Sequence, residues 1–195
     1  QDFIDVNREY YDARVEALDF NSPDAVQTIN NWVGDQTQGK IPKIIDSIDP
    51  LTMMYLINAI YFNGKWSHQF DKDKTSQQPF YLADGSEIQA DMMQTEAGFR
   101  YLGNDLFQAV EMPYGRGNYS MVCMLPGEDL KVDGLVQQMD AESWDQWMQA
   151  MDSTNVQVHL PRFSFEYEKT LNELLKAMGM EDAFDANMSD FSGIN

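Results

Sequence analysis

Ser67-His68 sets a hydroxyl beside an imidazole, the two groups from which a nucleophile and its general base could be built. Adjacent residues rarely point at one another, and the sequence offers no identifiable third group to orient the histidine. Two surface residues on a turn are therefore the favoured interpretation. His159 lies opposite Val158 and Leu160 in an alternating segment, so we expect it to face solvent or to be hydrogen-bonded.

The stretch from Gly34 to Lys40 imitates a phosphate-binding loop. Ile41 stands where a serine or threonine should bind magnesium, and a helix rather than a strand is predicted before the loop. We therefore reject a nucleotide site. The 2 histidines and the single cysteine, Cys123, lack the spacing of zinc ligands, so we predict neither a metal nor a cofactor. Cys123 lies between apolar neighbours and is expected to be a small core residue.

The chain carries 32 carboxylate side chains, so some pair must fall at a glycosidase-like separation by chance. A carboxylate-based hydrolase is kept only as a third alternative, which activity of the full protein on a glycoside panel would revive. No set of residues in the sequence is therefore identified as an enzyme active site. We predict that the protein is not an enzyme.

Bulk composition excludes several other classes. At 195 residues and 43% hydrophobic content the chain suits one domain, or two at most, with a substantial core. The formal charge of -19, with only 13 lysines and arginines, disfavours nucleic acid, anionic membranes and heparin. No apolar run reaches membrane-spanning length, and the first three residues do not read as a signal peptide, so a soluble chain is expected.

Residues 51–62 form a nearly unbroken apolar run rich in β-branched and aromatic side chains. Such a run is too apolar for a half-solvated strand and predicts a strand covered on both faces. Asn58 lies inside it, and a buried amide must have its hydrogen bonds satisfied. Asn58 is thus either an ordinary core amide or a latch between strands that can separate.

A helix is predicted over residues 22–33. Ser22 can cap it, and Pro23 suits its first position. The helix should stop at Gly34 or in the turn at 37–39. Further short helices are predicted from apolar positions that recur with helical spacing: Leu135, Val136 and Met139; Trp144, Trp147, Met148 and Met151; and Leu171, Leu174, Leu175 and Met178, the last closed by Gly179.

Residues 76–126 read as short antiparallel strands, with hairpin signals at Asp84-Gly85 and at 114–118. Further on, apolar residues alternate on even positions up to Leu160 and on odd positions from Phe163. This slip across Pro161-Arg162 predicts a bulge or a passage from one sheet into another. The pattern as a whole indicates an α+β protein with more than one mainly antiparallel sheet.

The words Asn58-Ala59-Ile60-Tyr61-Phe62, Gly64 and Trp66 closely resemble a signature of the serpins, the serine-protease-inhibitor superfamily. Other stretches match the family pattern in the same order along essentially the whole chain. They are Asp19-Phe20, Ile29-Asn30, Trp32-Val33, Thr37-Gln38-Gly39-Lys40-Ile41, Thr75, Phe80, Met92-Met93, Met112-Pro113-Tyr114, Ser120-Met121, Leu125-Pro126, Leu160-Pro161-Arg162-Phe163, Leu175, Met178-Gly179-Met180 and Asp190-Phe191-Ser192-Gly193-Ile194.

The resemblance implies the serpin fold, a large central sheet plus smaller mainly antiparallel sheets with surrounding helices. Residues 1–195 are expected to be a partial domain, about half a serpin, without the N-terminal helices and the C-terminal reactive loop. The remainder of the same polypeptide is then an expected partner. A secreted or cell-envelope location follows from the family, while a cytoplasmic one stays open.

The resemblance also implies a function. An inhibitory serpin offers a loop to a serine protease, or less often a cysteine protease, and is attacked as a single-use substrate. After the acyl-enzyme forms, the cleaved loop inserts into the central sheet and distorts the protease. A non-inhibitory serpin acting as carrier, chaperone or storage protein is the alternative, because the same motifs specify the scaffold in both.

Conformational roles follow position by position. Asn58 and Phe62 match the shutter, where central strands part. Trp66 and Thr75 match the breach, where the loop first enters. Five further residues match the helix that crosses the sheet in the family, or the connections at its ends: Asn30, Trp32, Thr37, Gly39 and Thr52.

Overall fold

The computed structural model describes residues 2–165, 167, 169–185 and 187–192. The chain divides into two compact units, one of residues 1–62 and 166–195 and the other of residues 63–165. The helices are α1 (Asp2–Tyr11), α2 (Ala25–Gln36), α3 (Val132–Gln137), α4 (Ala141–Ala150) and α5 (Asn172–Ala177). The strands are β1 (Ser76–Tyr81), β2 (Glu87–Gly103), β3 (Phe107–Tyr114), β4 (Tyr119–Pro126) and β5 (Asp152–Pro161). Short 3-10 turns cover Lys72–Lys74 and Asp182–Phe184.

Helix α2 begins and ends later than predicted. Its N-cap is Asp24 rather than Ser22, whose hydroxyl accepts a hydrogen bond from the Asp24 N–H and so holds the turn before the helix. Gly34 lies inside the helix, which continues to Gln36. A helix-interior glycine weakens a helix without necessarily ending it, and here the turn at 37–39 supplies the stop. Helix α1 was not predicted at all.

The predicted buried strand over residues 51–62 is wrong for this chain. None of these residues joins a β ladder, and Leu51 and Ile60 are 78% and 77% exposed. A strand needs a ladder of backbone hydrogen bonds with a neighbour, and among the described residues none of 51–62 belongs to such a ladder. Exposure still alternates from 55 to 62, with even positions outward. Asn58 is therefore an exposed side chain and not a buried amide.

A single long strand, β2, organises the sheet of the second unit. Its start pairs with β1, residues 92–101 pair with β5, and residues 100–103 pair with β3, which in turn pairs with β4. All pairings are antiparallel. Both hairpin predictions are confirmed, and Gly85 adopts the left-handed φ of +84° that a tight turn needs. The described residues contain this one sheet instead of the several predicted.

Strand β5 ends where the alternation slips. Val156, Val158 and Leu160 point toward the core, as their even spacing predicts, and the strand stops at Pro161. The predicted passage into a second sheet is not formed within 162–165, where Phe165 stays exposed. Among the described residues, 162–165 have no strand beside them with which to form a ladder.

Two clusters form the core of the second unit. One centres on Phe107, Ala109, Leu135 and Met151, with the α4 side chains Trp147 and Met148 packed against it. The other joins Phe99, Met112 and Val158. The α4 stripe is thus core-facing, as predicted. The α5 stripe is not, because Leu171, Leu174 and Met178 are exposed.

Candidate conformational site

Asn30 ties helix α2 to the loop that follows it. The side chain is only 6% exposed, and its Oδ1 accepts hydrogen bonds from the N–H groups of Ile44 and Ile45 at 2.8 and 3.1 Å. Its Nδ2 donates to the Ile45 carbonyl at 2.9 Å. One buried amide therefore satisfies three backbone groups of a segment about fifteen residues away. Any movement of α2 must carry this loop or break all three bonds.

The helix exit is a second fixed point. Thr37 is 1% exposed, and its hydroxyl donates to the Val33 carbonyl at 2.8 Å while accepting from the Ile41 N–H at 3.0 Å. The N–H of Gly39 bonds the Gly34 carbonyl at 2.7 Å, the outer bond of a Schellman turn. Gly39 has a φ of +75°, which glycine adopts without strain.

The inner bond of the same turn involves an uncommon residue. The Gln38 N–H donates to the Asp35 carbonyl at 3.3 Å, and Gln38 itself has a φ of +51°. This position usually holds glycine, because a side chain costs about 1–2 kcal/mol in the left-handed region. The loop after the helix is thus firmly bonded yet carries a local cost.

Trp32 and Thr52 lie at the edges of this region. Trp32 is half-buried on α2. Thr52 closes a turn by donating its N–H to the Asp49 carbonyl at 2.9 Å, at the start of the apolar run. Neither side chain joins the hydrogen-bond network around Asn30. The structure therefore brings together Asn30, Thr37 and Gly39 on one helix and its exit, with Trp32 and Thr52 outside that network.

Trp66 is anchored by aromatic contacts in the second unit. Its ring stacks on Tyr114 with centroids 4.2 Å apart and meets Phe70 edge-on at 6.0 Å. Around this stack the Ser67 N–H donates to the Pro113 carbonyl at 2.9 Å, and the Gly115 N–H donates to the Lys65 carbonyl at 2.7 Å.

Tyr114 is the residue of this region whose role the sequence did not reveal. It was named only in a family motif and at the start of a hairpin turn, and nothing in its spacing predicts a bridge to a segment almost fifty residues earlier. Burial raises the pKa of its phenol, and the neighbouring Cys123 adds to that rise. The phenol therefore stays neutral where it meets the aromatic cluster.

Thr75 follows the 3-10 turn that leads into β1. The Asp71 side chain caps this turn by accepting from the Asp73 N–H at 3.0 Å, and the Thr75 N–H donates to the Lys72 carbonyl at 3.2 Å. Thr75 is half-buried with an extended backbone. It lies on the second unit with Trp66, whereas Asn58 and Phe62 belong to the first unit.

The histidines and the cysteine that were considered as catalytic or metal-binding residues have structural surroundings. His68 is exposed, with its ring edge 5.1 Å from the Phe99 ring, and His159 is exposed on β5. Burial raises the pKa of the Cys123 thiol, which disfavours the reactive thiolate form. Among the described residues no cluster of three potential metal ligands occurs. Within the same residues no helix is long and apolar enough to cross a membrane.

Comparisons with known proteins cover the whole chain. The family described as Serpin (serine protease inhibitor) matches residues 1–195. Serpin B6 of Macaca fascicularis is 36% identical over 203 residues, which cover 99% of this chain and 54% of that protein. Antithrombin-III of Mus musculus is 34% identical over 199 residues, with 100% and 43% covered.

The fold is shared as well. The crystal structure of the thermophilic serpin tengpin in its native state superposes with a TM-score of 0.89 at 32% identity, over 98% of this chain and 49% of tengpin. The chain therefore spans about half the length of the relatives it matches. Its α+β architecture is that of a partial serpin fold. On its sequence profile and on its structure, the chain belongs to the serpin family of serine protease inhibitors.

Proposed function

We propose that the protein carrying this chain inhibits a serine-type protease by suicide-substrate trapping. The protease forms an acyl-enzyme with a reactive loop outside residues 1–195, and the cleaved loop then inserts into a central sheet. The protein acts as a consumed inhibitor and not as a catalyst. Its partners are the target protease, of the serine or less often the cysteine class, and the rest of its own polypeptide.

The exposed apolar row of the run at 51–62 is the observation that carries this proposal. It exposes five large apolar side chains: Leu51, Met53, Leu56, Ile60 and Phe62. An isolated patch of this kind is unfavourable in water, so it is expected to be covered when more of the protein is present. A sheet strand flanked by neighbours supplied elsewhere in the polypeptide would cover it. Such a strand can also part from one neighbour to admit another.

The shutter role of Asn58 is part of the proposal. Asn58 is exposed on the outward row of the run, where an amide can hydrogen-bond across to a neighbouring strand. Phe62 occupies the same row four residues later. We assign the two side chains to the latch that holds the central strands together.

The helix role follows from the bonds already described. Asn30 and Thr37 make α2, its exit turn and the loop at 44–45 one bonded element. Such an element moves or unfolds as a block, the behaviour that a helix yielding to an inserting strand requires. Trp66 and Thr75, held in the second unit, mark the entry point of the loop in this proposal.

The decisive experiment mixes the full-length protein with a panel of serine and cysteine proteases. Inhibition by trapping gives an SDS-resistant adduct of the two chains and a rise in thermal stability after loop cleavage. Cleavage without adduct and without a gain in stability would instead favour the carrier, chaperone or storage role. A protein that neither traps nor is cleaved by any protease in the panel contradicts the proposal.

Asn58→Ala in the full-length protein tests the latch. It should increase premature loop insertion or polymerisation, seen as loss of inhibitory stoichiometry and as ladders on native gels. Gln157→Ala, at an exposed position on β5, is the matched control and should inhibit normally. If Asn58→Ala only melts earlier while inhibiting like the control, Asn58 is an ordinary structural amide.

The proposed location is outside the cell or in the cell envelope. It rests on the family resemblance alone, and a cytoplasmic location is the alternative. Fractionation of the native source, with the protein detected by antibody, tests this location. Recovery in the cytoplasmic fraction alone would replace it with an intracellular one.

A further inference from the structure

Asp49-Pro50 is the one aspartate-proline pair in the sequence. It lies just before the apolar run, outside every helix and strand, and both residues are exposed. A peptide bond to proline is a tertiary amide whose nitrogen carries no hydrogen. This nitrogen is more basic than that of other peptide bonds, so it leaves more readily once it is protonated. The aspartate before it supplies a carboxylate that can close a five-membered ring on its own main-chain carbonyl carbon.

A turn holds both reacting groups of this pair. The main-chain carbonyl oxygen of Asp49 accepts a hydrogen bond from the Thr52 N–H at 2.9 Å. The carboxylate Oδ1 of the same residue accepts from the Leu51 N–H at 2.8 Å, so the side chain folds forward along the bond to Pro50. The first hydrogen bond stabilises the negative charge that develops on the carbonyl oxygen when its carbon is attacked. The second restricts the carboxylate to the neighbourhood of that carbon and so lowers the entropy cost of closing the ring.

The turn at Asp19 repeats these bonds without a proline. Its carboxylate Oδ1 accepts from the Asn21 N–H at 3.0 Å, and its carbonyl oxygen accepts from the Ser22 N–H at 3.0 Å. Asp19 is exposed as well, and the residue after it is Phe20. The two turns therefore share their hydrogen bonds and differ in the nitrogen that would have to leave. The chain thus contains its own control for the contribution of the proline.

We infer that the Asp49–Pro50 peptide bond is a site of spontaneous chain cleavage in the folded protein. The carboxylate Oδ2 of Asp49 attacks the main-chain carbonyl carbon of the same residue, and a C–O bond forms. The C–N bond to Pro50 then breaks as the proline nitrogen takes a proton from the solvent, which leaves a cyclic anhydride on Asp49. Water opens the anhydride and returns the proton. The net reaction consumes one water and gives a C-terminal aspartate and a new N-terminal proline.

The cut separates two parts of the first unit. Asn30 ties α2 to Ile44 and Ile45, which lie before the cut, whereas the apolar run lies after it. Cleavage therefore breaks the covalent link between the helix with its bonded loop and the run. The inference depends on the local chemistry of residues 49–52 and is independent of the proposed inhibitory function.

The test incubates the full-length protein in mildly acidic buffer and follows the fragments by intact mass and by N-terminal sequencing. A new N-terminus at Pro50 should accumulate, while the Asp19–Phe20 bond stays intact over the same time. Asp49→Asn keeps a side-chain acceptor for the Leu51 N–H but removes the carboxylate, so it should slow cleavage at least several-fold. Pro50→Ala keeps the carboxylate and should slow cleavage by a similar factor, because an ordinary amide nitrogen leaves less readily.

A synthetic peptide of residues 43–56 separates the chemistry of the sequence from that of the folded turn. Cleavage in the folded protein at least as fast as in the peptide, at a rate unchanged by dilution, supports the inference. A bond that stays intact in the folded protein, or is cleaved there more slowly than in the peptide, would overturn it. Equal cleavage at Asp19–Phe20 or an unchanged rate in Asp49→Asn would do the same. Circular dichroism shows whether each protein remains folded in the buffer, and the Asp49→Asn result stands if Pro50→Ala does not fold.

Discussion

Residues 63–165 and the apolar run at 51–62 both carry large apolar side chains, but the two regions differ in how far these side chains are exposed. In the first region Phe107 and Met112 are almost completely buried, each inside a cluster contributed by strands of the same sheet. In the second, Leu51 and Ile60 are more than three-quarters exposed. The difference is the supply of partners. The strands of the sheet pair with one another inside 63–165, whereas no residue of the apolar run belongs to a β ladder among the described residues.

The comparison separates hydrophobicity from burial. An apolar pattern indicates that a segment is suited to burial. Whether the segment is buried depends on which other segments pack against it. Truncating a core side chain in 63–165 should therefore lower the stability of that region directly. Truncating a side chain of the apolar run at 51–62 should lower stability only in the complete protein.

Phe107→Ala should give the largest effect. The Phe107 ring is 1% exposed and meets Trp147 edge-on at 4.8 Å, so truncation opens a cavity between the sheet and α4. We expect the free energy of unfolding of the full-length protein to fall by about 3–5 kcal/mol in urea denaturation. Tyr81→Ala, at an exposed edge position, should stay within about 0.5 kcal/mol. Similar losses for both variants would contradict the closed core.

Ile60→Ala tests the apolar run at 51–62. If the rest of the polypeptide covers the run, the full-length variant should lose about 2–5 kcal/mol of unfolding free energy, as a buried isoleucine does. Val132→Ala, at the exposed start of α3, is the control and should change little. A cost at Ile60 as small as at Val132 would mean that the run stays exposed in the complete protein, and the proposed central strand would be wrong.

Asn30→Ala should have an intermediate effect. It removes the partner of two N–H groups and one carbonyl of residues 44–45. Because Ile44 and Ile45 are only half-buried, water replaces part of this bonding, and we expect the free energy of unfolding to fall by about 1–3 kcal/mol in total. Hydrogen exchange should show faster opening at Ile44 and Ile45. Asn31→Ala loses only an exposed bond from Gln27 and serves as the control. Unchanged exchange at 44–45 in Asn30→Ala would show that the loop is held by other contacts.

The smallest effect concerns the N-cap of α4. The Asp140 carboxylate accepts from the Ser143 N–H at 2.8 Å, and this bond together with the Ser143 hydroxyl lowers the pKa of Asp140. Because the native pKa is lowered, the stabilisation is complete above the ordinary aspartate pKa and is lost as pH falls through the native value. Asp140→Asn keeps an acceptor that does not titrate.

Thermal melting from neutral to acidic pH measures this difference. Wild type should lose stability relative to Asp140→Asn only at acidic pH. Asp145→Asn makes the same charge change on the same helix without a cap and should not reproduce the trend. A constant difference between wild type and Asp140→Asn across the pH range would contradict a titrating cap.

The sequence predicts elements whose determinants are local. The hairpin at Asp84-Gly85 and the closure of α5 at Gly179 depend on glycines that can adopt positive φ, and both are found. The inward row of β5 follows from simple alternation. Asn58 was predicted to be buried but is exposed, because burial is decided by contacts with segments that are distant in the sequence. The burial of the α5 stripe was mispredicted for the same reason.

The candidate site shows the same limit. Asn30, Thr37 and Gly39 were identified from sequence motifs of the family, and the structure shows them hydrogen-bonded around α2. Their partners Ile44 and Ile45, and the Tyr114 ring beneath Trp66, could not be predicted from local pattern. Contacts between residues far apart in sequence leave no periodic signal. The final motif residues Gly193 and Ile194 lie outside the described residues.

The long pairing between β2 and β5 has a consequence for how the protein is made. Strand β1 can zip onto β2 through a short turn, but β5 meets β2 only after a detour through β3, β4 and two helices, and Asn155 bonds Glu96 from 59 positions away. Pairings this distant in sequence close slowly, because the loop entropy is lost before any contact is gained. While the ribosome is still adding α3 and α4, one edge of β2 therefore stays open. That interval is the vulnerable stage of synthesis, when a chaperone or a second nascent chain can reach the edge first.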